Sequence, residues 1–311
     1  MTNPMTDWEG RGGGESRKDQ LRKARFRRRG DVYSIRLKRQ TENRISNSWD
    51  RRGFFLDATH FNREAWDKIA TSRRKWFTPA TADQIDAARR GDFSIRLTAT
   101  KPIPASWIGD VQDRSILALA AGGGHQGPVL AAAGAHVTVV DFSAGQLAID
   151  QRLAREHDLA IETIQADMAD LALLAAEQFD LVINPCSVNF VPNVRPVWKE
   201  AARVLKPGGV LISGVIQPVN FLFDAVKRDR GKLKVRFKIP YSDLDLPPEE
   251  LDQTIGPERP IDFGHSLTDL LGGQLDAGFM LTDIMEDGWG GDDALSDRIA
   301  TFMATRAVKG T

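Results

Sequence analysis

Short apolar runs alternate with segments of helical periodicity through the middle of the chain. The runs begin at Ile116, Val137, Ile161, Phe179 and Val210, and each has the length of a buried strand. Between them, apolar residues return every three or four positions, which is typical of helices with one buried face. Strands that alternate with helices pair in parallel through right-handed crossovers. The pattern therefore predicts an α/β fold built on an open, doubly wound, mostly parallel sheet.

Two short helices are predicted ahead of this sheet. Residues 61–70 and the aromatic pair Trp76-Phe77 carry helical spacing, and residues 82–91 predict a second helix. Residues 93–98 alternate between apolar and polar side chains and predict a short strand. We expect these elements to form an N-terminal helical cap, which either covers the site as a lid or simply packs on the sheet.

Residues 217–265 interrupt the regular alternation after the fifth strand. Several prolines break this segment, so we expect an irregular insertion. Beyond it, the apolar spacing predicts a helix from Ser266 to Ala277 and two strands at 280–285 and 298–308. The insertion therefore precedes the last helix-strand unit.

Two finer features are also predicted within the sheet region. The apolar residues at 171–175 predict a helix after the third strand. Ser143 and Gln146 have the spacing of a capping box, in which each residue bonds the backbone N–H of the other. That motif predicts where the helix after the second strand begins.

Composition and charge narrow the class of protein. Lys and Arg total 42, as do Asp and Glu, so the net charge gives no argument for nucleic-acid or membrane binding. No run approaches the roughly 20 apolar residues of a spanning helix, and no secretory leader is recognisable. The single cysteine, Cys186, argues against a disulfide framework, and we expect no metal. These features predict a cytoplasmic protein, and they leave its oligomeric state open.

The first 57 residues are rich in arginine. Clustered arginines release counterions from phosphates, so a nucleic-acid-binding arm is one interpretation. A transit-like leader is a second interpretation, although the interspersed acidic residues count against it. We favour a disordered tail. The predicted parts of the chain are a basic tail at 1–57, a helical cap with linker at 58–110, and a core domain at 111–311.

The candidate chemistry begins where the first strand ends. Gly122, Gly123 and Gly124 follow that strand, and Asp141 ends the next one. Glycines allow a ligand to lie against main-chain N–H groups, and a carboxylate in this place accepts hydrogen bonds from a ribose. The stretch therefore predicts a nucleoside-binding unit. Together with Gly127 the spacing also satisfies the dinucleotide fingerprint, which leaves an NAD(P)- or flavin-dependent oxidoreductase open.

A set of successive motifs resembles those of the class I S-adenosylmethionine-dependent methyltransferases in order and spacing. They are Leu117 to Gly124, Asp141, Gln165 to Met168, Phe179 to Val182 and Arg203 to Gly209. The nearest group is the bacterial small-molecule type. The resemblance implies a Rossmann-like fold whose last two strands form an antiparallel hairpin at the sheet edge. It also implies that the insertion at about 217–265 takes part in substrate recognition.

The same resemblance implies how S-adenosylmethionine is held. Gly122 and Gly124 would approach its methionine and ribose portions, and Asp141 would bind the ribose hydroxyls. Phe142 would border the adenine. Asp167 would accept a hydrogen bond from the adenine amino group, with the Met168 backbone nearby. The cofactor-binding residues implied or proposed are Ala121, Gly122, Gly123, Gly124, Asp141, Phe142, Asp167, Met168 and Asn184.

Two positions depart from the family pattern. Ala118 stands where the family often has an acidic residue, and Ala120 replaces the first glycine of the turn. We therefore expect the amino end of the cofactor to be held in another way, by backbone carbonyls or by Asn184.

The sequence does not single out a catalytic residue. The candidates for proton transfer are His125, Asn189, Tyr241 and His265, which lie in the cofactor loop or in segments expected to face the pocket. His125 equally fits a hydrogen bond to the neighbouring backbone. Cys186 is either a nucleophile or a small packing residue at a strand end.

The function that we expect is direct methyl transfer to a small-molecule acceptor. Such a displacement needs an aligned nucleophile about 3 Å from the methyl group and the exclusion of water. Four alternatives stay open: an oxidoreductase, a non-catalytic nucleotide-binding protein, a nonmethyl reaction of the same cofactor such as cyclisation or lysis, and a nucleic-acid substrate bound through the basic tail. The last of these is not favoured.

Overall fold

The apolar runs form a seven-stranded sheet in a computed structural model of the chain. The structure describes residues 57–71, 78–224, 227–228, 230–247, 249–251, 259–291 and 293–311. The tail predicted at 1–57 lies outside the described residues except for Asp57, and so does the pair Trp76-Phe77.

The helices and strands are numbered in chain order. The helices are α1 (Ala58–Thr71), α2 (Ala82–Arg89), α3 (Ala105–Ile108), α4 (Gln126–Ala132), α5 (Ala144–His157), α6 (Arg195–Val204) and α7 (Gly273–Asp276). The strands are β1 (Ser115–Leu119), β2 (His136–Asp141), β3 (Ile161–Gln165), β4 (Phe179–Asn184), β5 (Leu205–Ile216), β6 (Tyr241–Ser242), β7 (Phe263–Gly264), β8 (Phe279–Asp287) and β9 (Phe302–Lys309). Short 3₁₀ turns lie at Val188–Phe190, Pro218–Leu222 and Asp243–Asp245, and a π-helical turn lies at Thr268–Gly272.

The strand order of the main sheet is β3-β2-β1-β4-β5-β9-β8. The first five strands pair in parallel, while β9 runs antiparallel to both β5 and β8. The predicted mostly parallel sheet with an antiparallel edge is therefore confirmed. Ala118 of β1 pairs with Val139 in β2 and with Ile183 in β4. The strand order reverses here, and ligands bind at such switch points in open α/β sheets.

An apolar core covers each face of the sheet. Along β1, Ile116 and Ala118 belong to one core, whereas Leu117 and Leu119 belong to the other. This alternation follows from the two-residue repeat of a strand, and all four side chains are fully buried. The first core takes in helices α2, α3 and α4, and the second includes the buried Trp198 of α6. The strand that carries the glycine turn is therefore held rigidly from both sides.

The helix predicted at 171–175 is wrong, because this segment consists of turns. Leu171 and Leu174 are buried, as their apolar character requires. Arg203 of α6 donates hydrogen bonds of 2.7 Å and 2.9 Å to the carbonyls of Leu171 and Leu174, and Glu200 accepts one of 2.8 Å from the Leu171 amide. These side chains satisfy backbone groups that a helix would pair internally.

The strand predicted at 93–98 is an extended segment that joins no sheet. Ile95 and Leu97 are buried, and the Leu97 carbonyl accepts a hydrogen bond of 3.1 Å from the Cys186 amide. That carbonyl lies 2.1 Å from the place that a Cβ atom on Gly214 would occupy. Because Gly214 has no side chain, residues 93–98 can lie directly against β5. They form no strand, and we call this segment the strap.

Three further elements differ from their prediction. The fifth strand begins at Leu205 instead of 210, and β9 begins at Phe302 instead of 298. The helix predicted from Ser266 to Ala277 is a π-helical turn followed by α7. A Cβ atom on Gly273 would lie 2.7 Å from Trp198 Cδ1, so the irregular turn brings a glycine backbone against the tryptophan ring.

Both predicted cap helices are present as α1 and α2. Helix α2 begins with a complete capping box between Thr81 and Gln84. The insertion contributes β6 and β7, which pair in a small antiparallel sheet of their own. Within the described ranges, no helix has the length and hydropathy needed to cross a membrane.

Candidate functional site

The carboxyl ends of β1, β4 and β5 are tied together by one buried amide. Asn184 Nδ2 donates to Leu119 O at 2.9 Å and to Ser187 Oγ at 2.9 Å. Asn184 Oδ1 accepts from Ser213 Oγ at 3.0 Å. Asn184 is fully buried, and both of its N–H groups are used within the protein. Asn184 therefore links the ends of these three strands. Its predicted contact with a cofactor stays a prediction.

The loop after β1 turns sharply through left-handed backbone conformations. Ala120 has φ of 47°, Gly123 of 103° and Gly124 of 75°. The left-handed region costs an alanine about 1 kcal/mol, so Ala120 adopts a conformation that suits a glycine better. Gly124 is favoured by its own left-handed φ, and a Cβ atom there would also lie 2.7 Å from Leu153 Cδ1 of α5.

Asp141 ends β2 directly beside this loop. Its Oδ2 accepts a hydrogen bond of 3.0 Å from Gly122 N, and its Oδ1 accepts one of 2.9 Å from Ser143 N. A Cβ atom on Gly122 would stand 3.0 Å from Asp141 Oδ2, so a glycine allows this approach. Burial raises the pKa of Asp141 to about 6, against the opposing effect of the two amides. An ionised carboxylate has about four acceptor directions, which leaves two for the hydroxyls of a ribose.

Asp150 is a second loop-binding carboxylate, and sequence analysis missed it. Its Oδ2 accepts hydrogen bonds of 2.8 Å from Gly123 N and 3.0 Å from Gly124 N. Burial raises the pKa of Asp150 to about 7. The residue is fully buried on the face of α5 that also carries Leu147 and Leu153. An acid on the apolar face of an amphipathic helix is the signal that could have identified it.

The position of Asp150 bears on which nucleotide fits the loop. A dinucleotide binds its pyrophosphate through main-chain amides of such a turn. Here the amides of Gly123 and Gly124 already donate to Asp150 Oδ2, so they are not available to a phosphate. A nucleoside without a phosphate, such as one that carries a sulfonium, does not need these amides. The residues present therefore fit S-adenosylmethionine better than NAD(P) or a flavin dinucleotide.

The other predicted cofactor residues lie on the same edge of the sheet. Ala121 and Met168 are buried, and Phe142 and Asp167 are partly exposed. Met168 Sδ lies 3.8 Å from Ser187 Oγ, which places it beside the end of β4. Because these residues follow the ends of β1, β2 and β3, they surround the corner that Asp141 occupies. Their individual contacts with a cofactor stay predictions.

Helix α1 lies across the start of α5. Asp67 Oδ1 accepts hydrogen bonds from Ser143 Oγ at 2.6 Å and from Gly145 N at 2.9 Å. Gln146 N donates to Ser143 Oγ at 3.1 Å, whereas Gln146 Nε2 donates to Trp66 O at 3.3 Å. The predicted capping box is therefore only half formed, because the glutamine side chain bonds α1 instead. Helix α1 covers the loop corner.

The insertion returns to the same region and is fastened by a buried asparagine. Asn62 of α1 donates hydrogen bonds of 3.0 Å to Phe190 O and to Ile261 O, and it accepts one of 2.7 Å from Ile261 N. The rings of Trp66 and Phe190 pack edge to face with centroids 5.1 Å apart. Helix α1, the turn after β4 and the end of the insertion therefore form one continuous wall beside the loop corner.

Two of the catalytic candidates meet at the turn after β4. Asn189 Nδ2 donates to Asp262 Oδ1 at 2.7 Å, and His265 Nε2 bonds Val188 O at 2.9 Å. Burial lowers the pKa of His265, so its imidazole is neutral and donates to that carbonyl. Each side chain thus links the insertion to the turn after β4.

The other two candidates are placed differently. Tyr241 Oη donates to Asp243 Oδ1 at 2.7 Å, and burial raises the pKa of Tyr241, so the phenol stays protonated. His125 lies at the start of α4 in the glycine loop, away from the insertion. Burial, followed by the nearby charge of Arg96, lowers the pKa of His125. Tyr241 therefore cannot act as a base near neutral pH, whereas His125 is neutral and a weaker base than a free imidazole.

Cys186 follows β4 behind the strap formed by residues 93–98. Burial, assisted by the charge of Asp287, raises the pKa of the Cys186 thiol. The Asp287 carboxylate accepts hydrogen bonds from Thr98 Oγ1 at 2.8 Å and from Thr100 N at 2.7 Å. Cys186 is partly exposed, but a thiol with a raised pKa is not an activated nucleophile, so the packing interpretation is favoured.

Comparison with known proteins identifies related sequences. A protein-family model described as a methyltransferase domain matches residues 117–213. The chain is 45% identical over 249 residues to the uncharacterized methyltransferase YbaJ of Bacillus subtilis (strain 168), with 80% of this chain and 97% of that protein covered. It is 28% identical over 163 residues to a ubiquinone biosynthesis O-methyltransferase of Bordetella avium (strain 197N), covering 50% of this chain and 63% of that protein.

Solved structures share the fold at low sequence identity. One is an S-adenosylmethionine-dependent methyltransferase from Mesorhizobium loti, with a TM-score of 0.52, 17% identity, and coverage of 66% of this chain and 94% of that one. Another is the 1,6-didemethyltoxoflavin-N1-methyltransferase of Burkholderia thailandensis with bound 1,6-didemethyltoxoflavin and S-adenosylhomocysteine, with a TM-score of 0.50 and 13% identity. That match covers 82% of this chain and 92% of the other.

Proposed function

The chain belongs to the class I S-adenosylmethionine-dependent methyltransferases, and from this premise we propose that it methylates a small-molecule acceptor. The observation that carries the proposal is the wall joining α1, the turn after β4 and the insertion beside the loop corner. Asn62 fastens the wall with three hydrogen bonds from a fully buried position. A wall of this kind suits a small acceptor that can be enclosed, whereas a nucleic acid requires an open groove.

The proposed roles of the loop residues follow from their positions. Bound S-adenosylmethionine supplies an electrophilic methyl group on a sulfonium. Asp141 would accept hydrogen bonds from the ribose hydroxyls in addition to the one from Gly122 N. Asp167 would accept a hydrogen bond from the adenine amino group. Asp150 would keep the amides of Gly123 and Gly124 occupied, so that the loop holds its shape and presents no phosphate site. Helix α1 and the insertion would exclude water from this corner.

The candidate catalytic side chains favour a reaction that depends on alignment. His125 and His265 have lowered pKa values and Tyr241 has a raised one, so none of them is poised as a strong base at neutral pH. An acceptor atom that is nucleophilic without proton removal needs only positioning and a dry site. We therefore propose that these residues shape the site instead of moving a proton.

The names of the relatives agree with a small acceptor. Similar proteins include the ubiquinone biosynthesis O-methyltransferase of Bordetella avium and a demethylmenaquinone methyltransferase of Clavibacter sepedonicus, which is 38% identical over 105 residues. The single cysteine of the chain fits a reducing compartment, and we keep the cytoplasm as the proposed location.

Isothermal titration calorimetry with S-adenosylhomocysteine and with NADH tests the cofactor part of the proposal. We expect the first to bind and the second to give no heat. A tritiated-methyl transfer assay with a panel of small acceptors, and with tRNA and DNA as polymeric alternatives, tests the acceptor part. Binding of NADH alone, or transfer only to a nucleic acid, would overturn the proposal.

A further inference from the structure

A partly buried polar cluster lies where the insertion meets the turn after β4. We call it the insertion cluster, and its members are Asn189, Tyr241, Asp243, Arg259 and Asp262. Asp243 is fully buried and accepts from Tyr241 Oη at 2.7 Å and from Asp262 N at 2.8 Å. Asp262 accepts from Arg259 Nη2 at 2.8 Å and from Asn189 Nδ2 at 2.7 Å. The cluster therefore has a defined geometry.

One acceptor atom of the insertion cluster accepts no hydrogen bond from the described part of the chain. Asn189 is 3% exposed, and its Oδ1 is buried without a hydrogen-bond partner among the residues that the structure describes. A buried acceptor without a partner is destabilising, because it has lost its hydrogen bonds to water and gained none in the protein. Native proteins rarely keep such an atom unless a ligand or an ordered water completes it. Its amide donor is fixed on Asp262, so the orientation of the free oxygen is set by the cluster.

The position of Asn189 connects this free acceptor to the cofactor corner. The next residue, Phe190, packs on the Trp66 ring, and the Trp66 carbonyl accepts from Gln146 Nε2. Gln146 in turn lies against the glycine loop, since its Cβ is 2.8 Å from the place of a Cβ atom on Gly122. A continuous series of contacts through Phe190, Trp66 and Gln146 therefore joins the cluster to the loop corner.

The charges of the cluster determine which ligand group suits it. Two carboxylates, Asp243 and Asp262, share the Arg259 guanidinium, which is 2.8 Å from Asp262 and 3.9 Å from Asp243. A carboxylate or phosphate ligand would approach a cluster in which two acidic groups face a single guanidinium, and an amide oxygen that cannot donate. An amine or hydroxyl supplies the donor that the oxygen lacks and brings no negative charge.

We propose that Asn189 Oδ1 accepts a hydrogen bond from an amine or hydroxyl of the acceptor substrate. The insertion cluster then selects molecules that present such a donor and rejects those that present a carboxylate or phosphate. This inference rests on the proposed function, because Asn189 borders the acceptor only if the cofactor occupies the Asp141 corner. Asn189 is accordingly a specificity-determining residue.

Three probes that share one ring test the inference: benzylamine, benzyl alcohol and benzoate. The full chain, saturated with S-adenosylhomocysteine, is titrated with each probe by calorimetry. We expect the amine or the alcohol to bind and benzoate to bind at least about 10-fold more weakly. In Asn189→Leu, which removes the oxygen at nearly constant volume, the donor probe loses about 10-fold in affinity. Asn193→Leu, an exposed asparagine in the same loop, should leave every affinity unchanged.

The outcomes separate this inference from the proposed function. Absence of S-adenosylhomocysteine binding by the wild type contradicts the proposed function. Normal binding of that ligand, combined with equal affinity for the three probes, with no binding of the two donor probes, or with an unaffected Asn189→Leu variant, overturns the role of Asn189. If Asn189→Leu does not bind S-adenosylhomocysteine, the ranking of the three probes on the wild type decides alone.

Discussion

The Asp150 carboxylate accepts a hydrogen bond of 2.8 Å from the Gly123 amide and thereby ties helix α5 to the turn after β1. The family pattern often has an acid at position 118, inside β1, where this chain has an alanine. Asp150 brings an acid against the loop from the neighbouring helix. The same carboxylate therefore shapes the loop and joins two elements of the fold.

Asp141→Ala removes the carboxylate expected to bind the ribose. Two hydrogen bonds to a charged group contribute about 1.5 kcal/mol each or more, so we expect the Kd for S-adenosylhomocysteine to rise about 100-fold. Calorimetry measures this change. Asp86→Ala on the exposed face of α2 is the control and should bind normally. An unchanged Kd in Asp141→Ala would count against the whole placement of the cofactor.

Asp150→Asn is expected to change how stability depends on pH. The pKa of Asp150 is raised from 3.8 to about 7 in the folded chain, so the folded state binds a proton that the unfolded state has lost. The contribution of Asp150 to stability is therefore present below pH 4 and is lost as the pH rises through about 7. Asparagine keeps an acceptor for the loop amides and does not titrate. We expect the stability of the variant relative to wild type to rise by roughly 1–4 kcal/mol across that window.

Urea denaturation at pH 4.5 and pH 8 measures this effect in both proteins. The matched control is Asp86→Asn, at an exposed site of α2 whose salt bridge to Arg89 is at the surface. We expect its difference from wild type to stay within about 0.5 kcal/mol at both pH values. A difference between Asp150→Asn and wild type that is the same at both pH values would contradict the buried, titrating carboxylate.

Ala120→Gly is expected to stabilise the protein. Ala120 has φ of 47°, and a glycine adopts this conformation without a steric penalty. Part of the gain is lost because glycine is more flexible in the unfolded chain, so we expect about 0.5–1 kcal/mol. Ala148→Gly, at an exposed site inside α5, should instead destabilise the protein by about 1 kcal/mol. Thermal unfolding of the two variants checks whether their effects have opposite signs.

Asp67→Ala is expected to loosen α1 from α5. The substitution removes the acceptor of Ser143 Oγ and Gly145 N, a loss comparable to that of a helix cap, at about 1–2 kcal/mol. We expect faster hydrogen exchange of the α1 amides, measured by mass spectrometry. Glu64→Ala removes an exposed carboxylate from the same helix and should leave the exchange unchanged. Equal protection in Asp67→Ala and wild type would show that this contact does not hold α1.

The middle of the sheet could be predicted because strands β1, β2 and β4 are buried on both faces. Apolar runs such as the one at Ile116 carry this information locally, and the parallel order follows from the alternation with helices. The segment at 171–175 could not be predicted in the same way. Its backbone groups are satisfied by Arg203 and Glu200, and this long-range pairing leaves no local pattern.

The site shows the same division between local and long-range information. Asp141 could be found because it follows a strand at the right distance from the glycines. Asp150 resembles an imperfection in an apolar helix face, and its partners are backbone amides that have no side-chain signature. Asn62 and Ile261 are 199 positions apart, so no spacing rule connects them. The wall beside the loop corner is therefore visible only in three dimensions.

The position of β9 between β5 and β8 determines the order in which the strands can pair during synthesis. Among the described residues, strand β8 joins the sheet only through β9, which follows it in the chain. The five parallel strands can pair while the ribosome is still translating, but β8 must wait for a partner that emerges afterwards. Its edge is exposed to other nascent chains during that interval. Removing residues 302–311 would therefore delete an interior strand and leave β8 without a partner in the sheet.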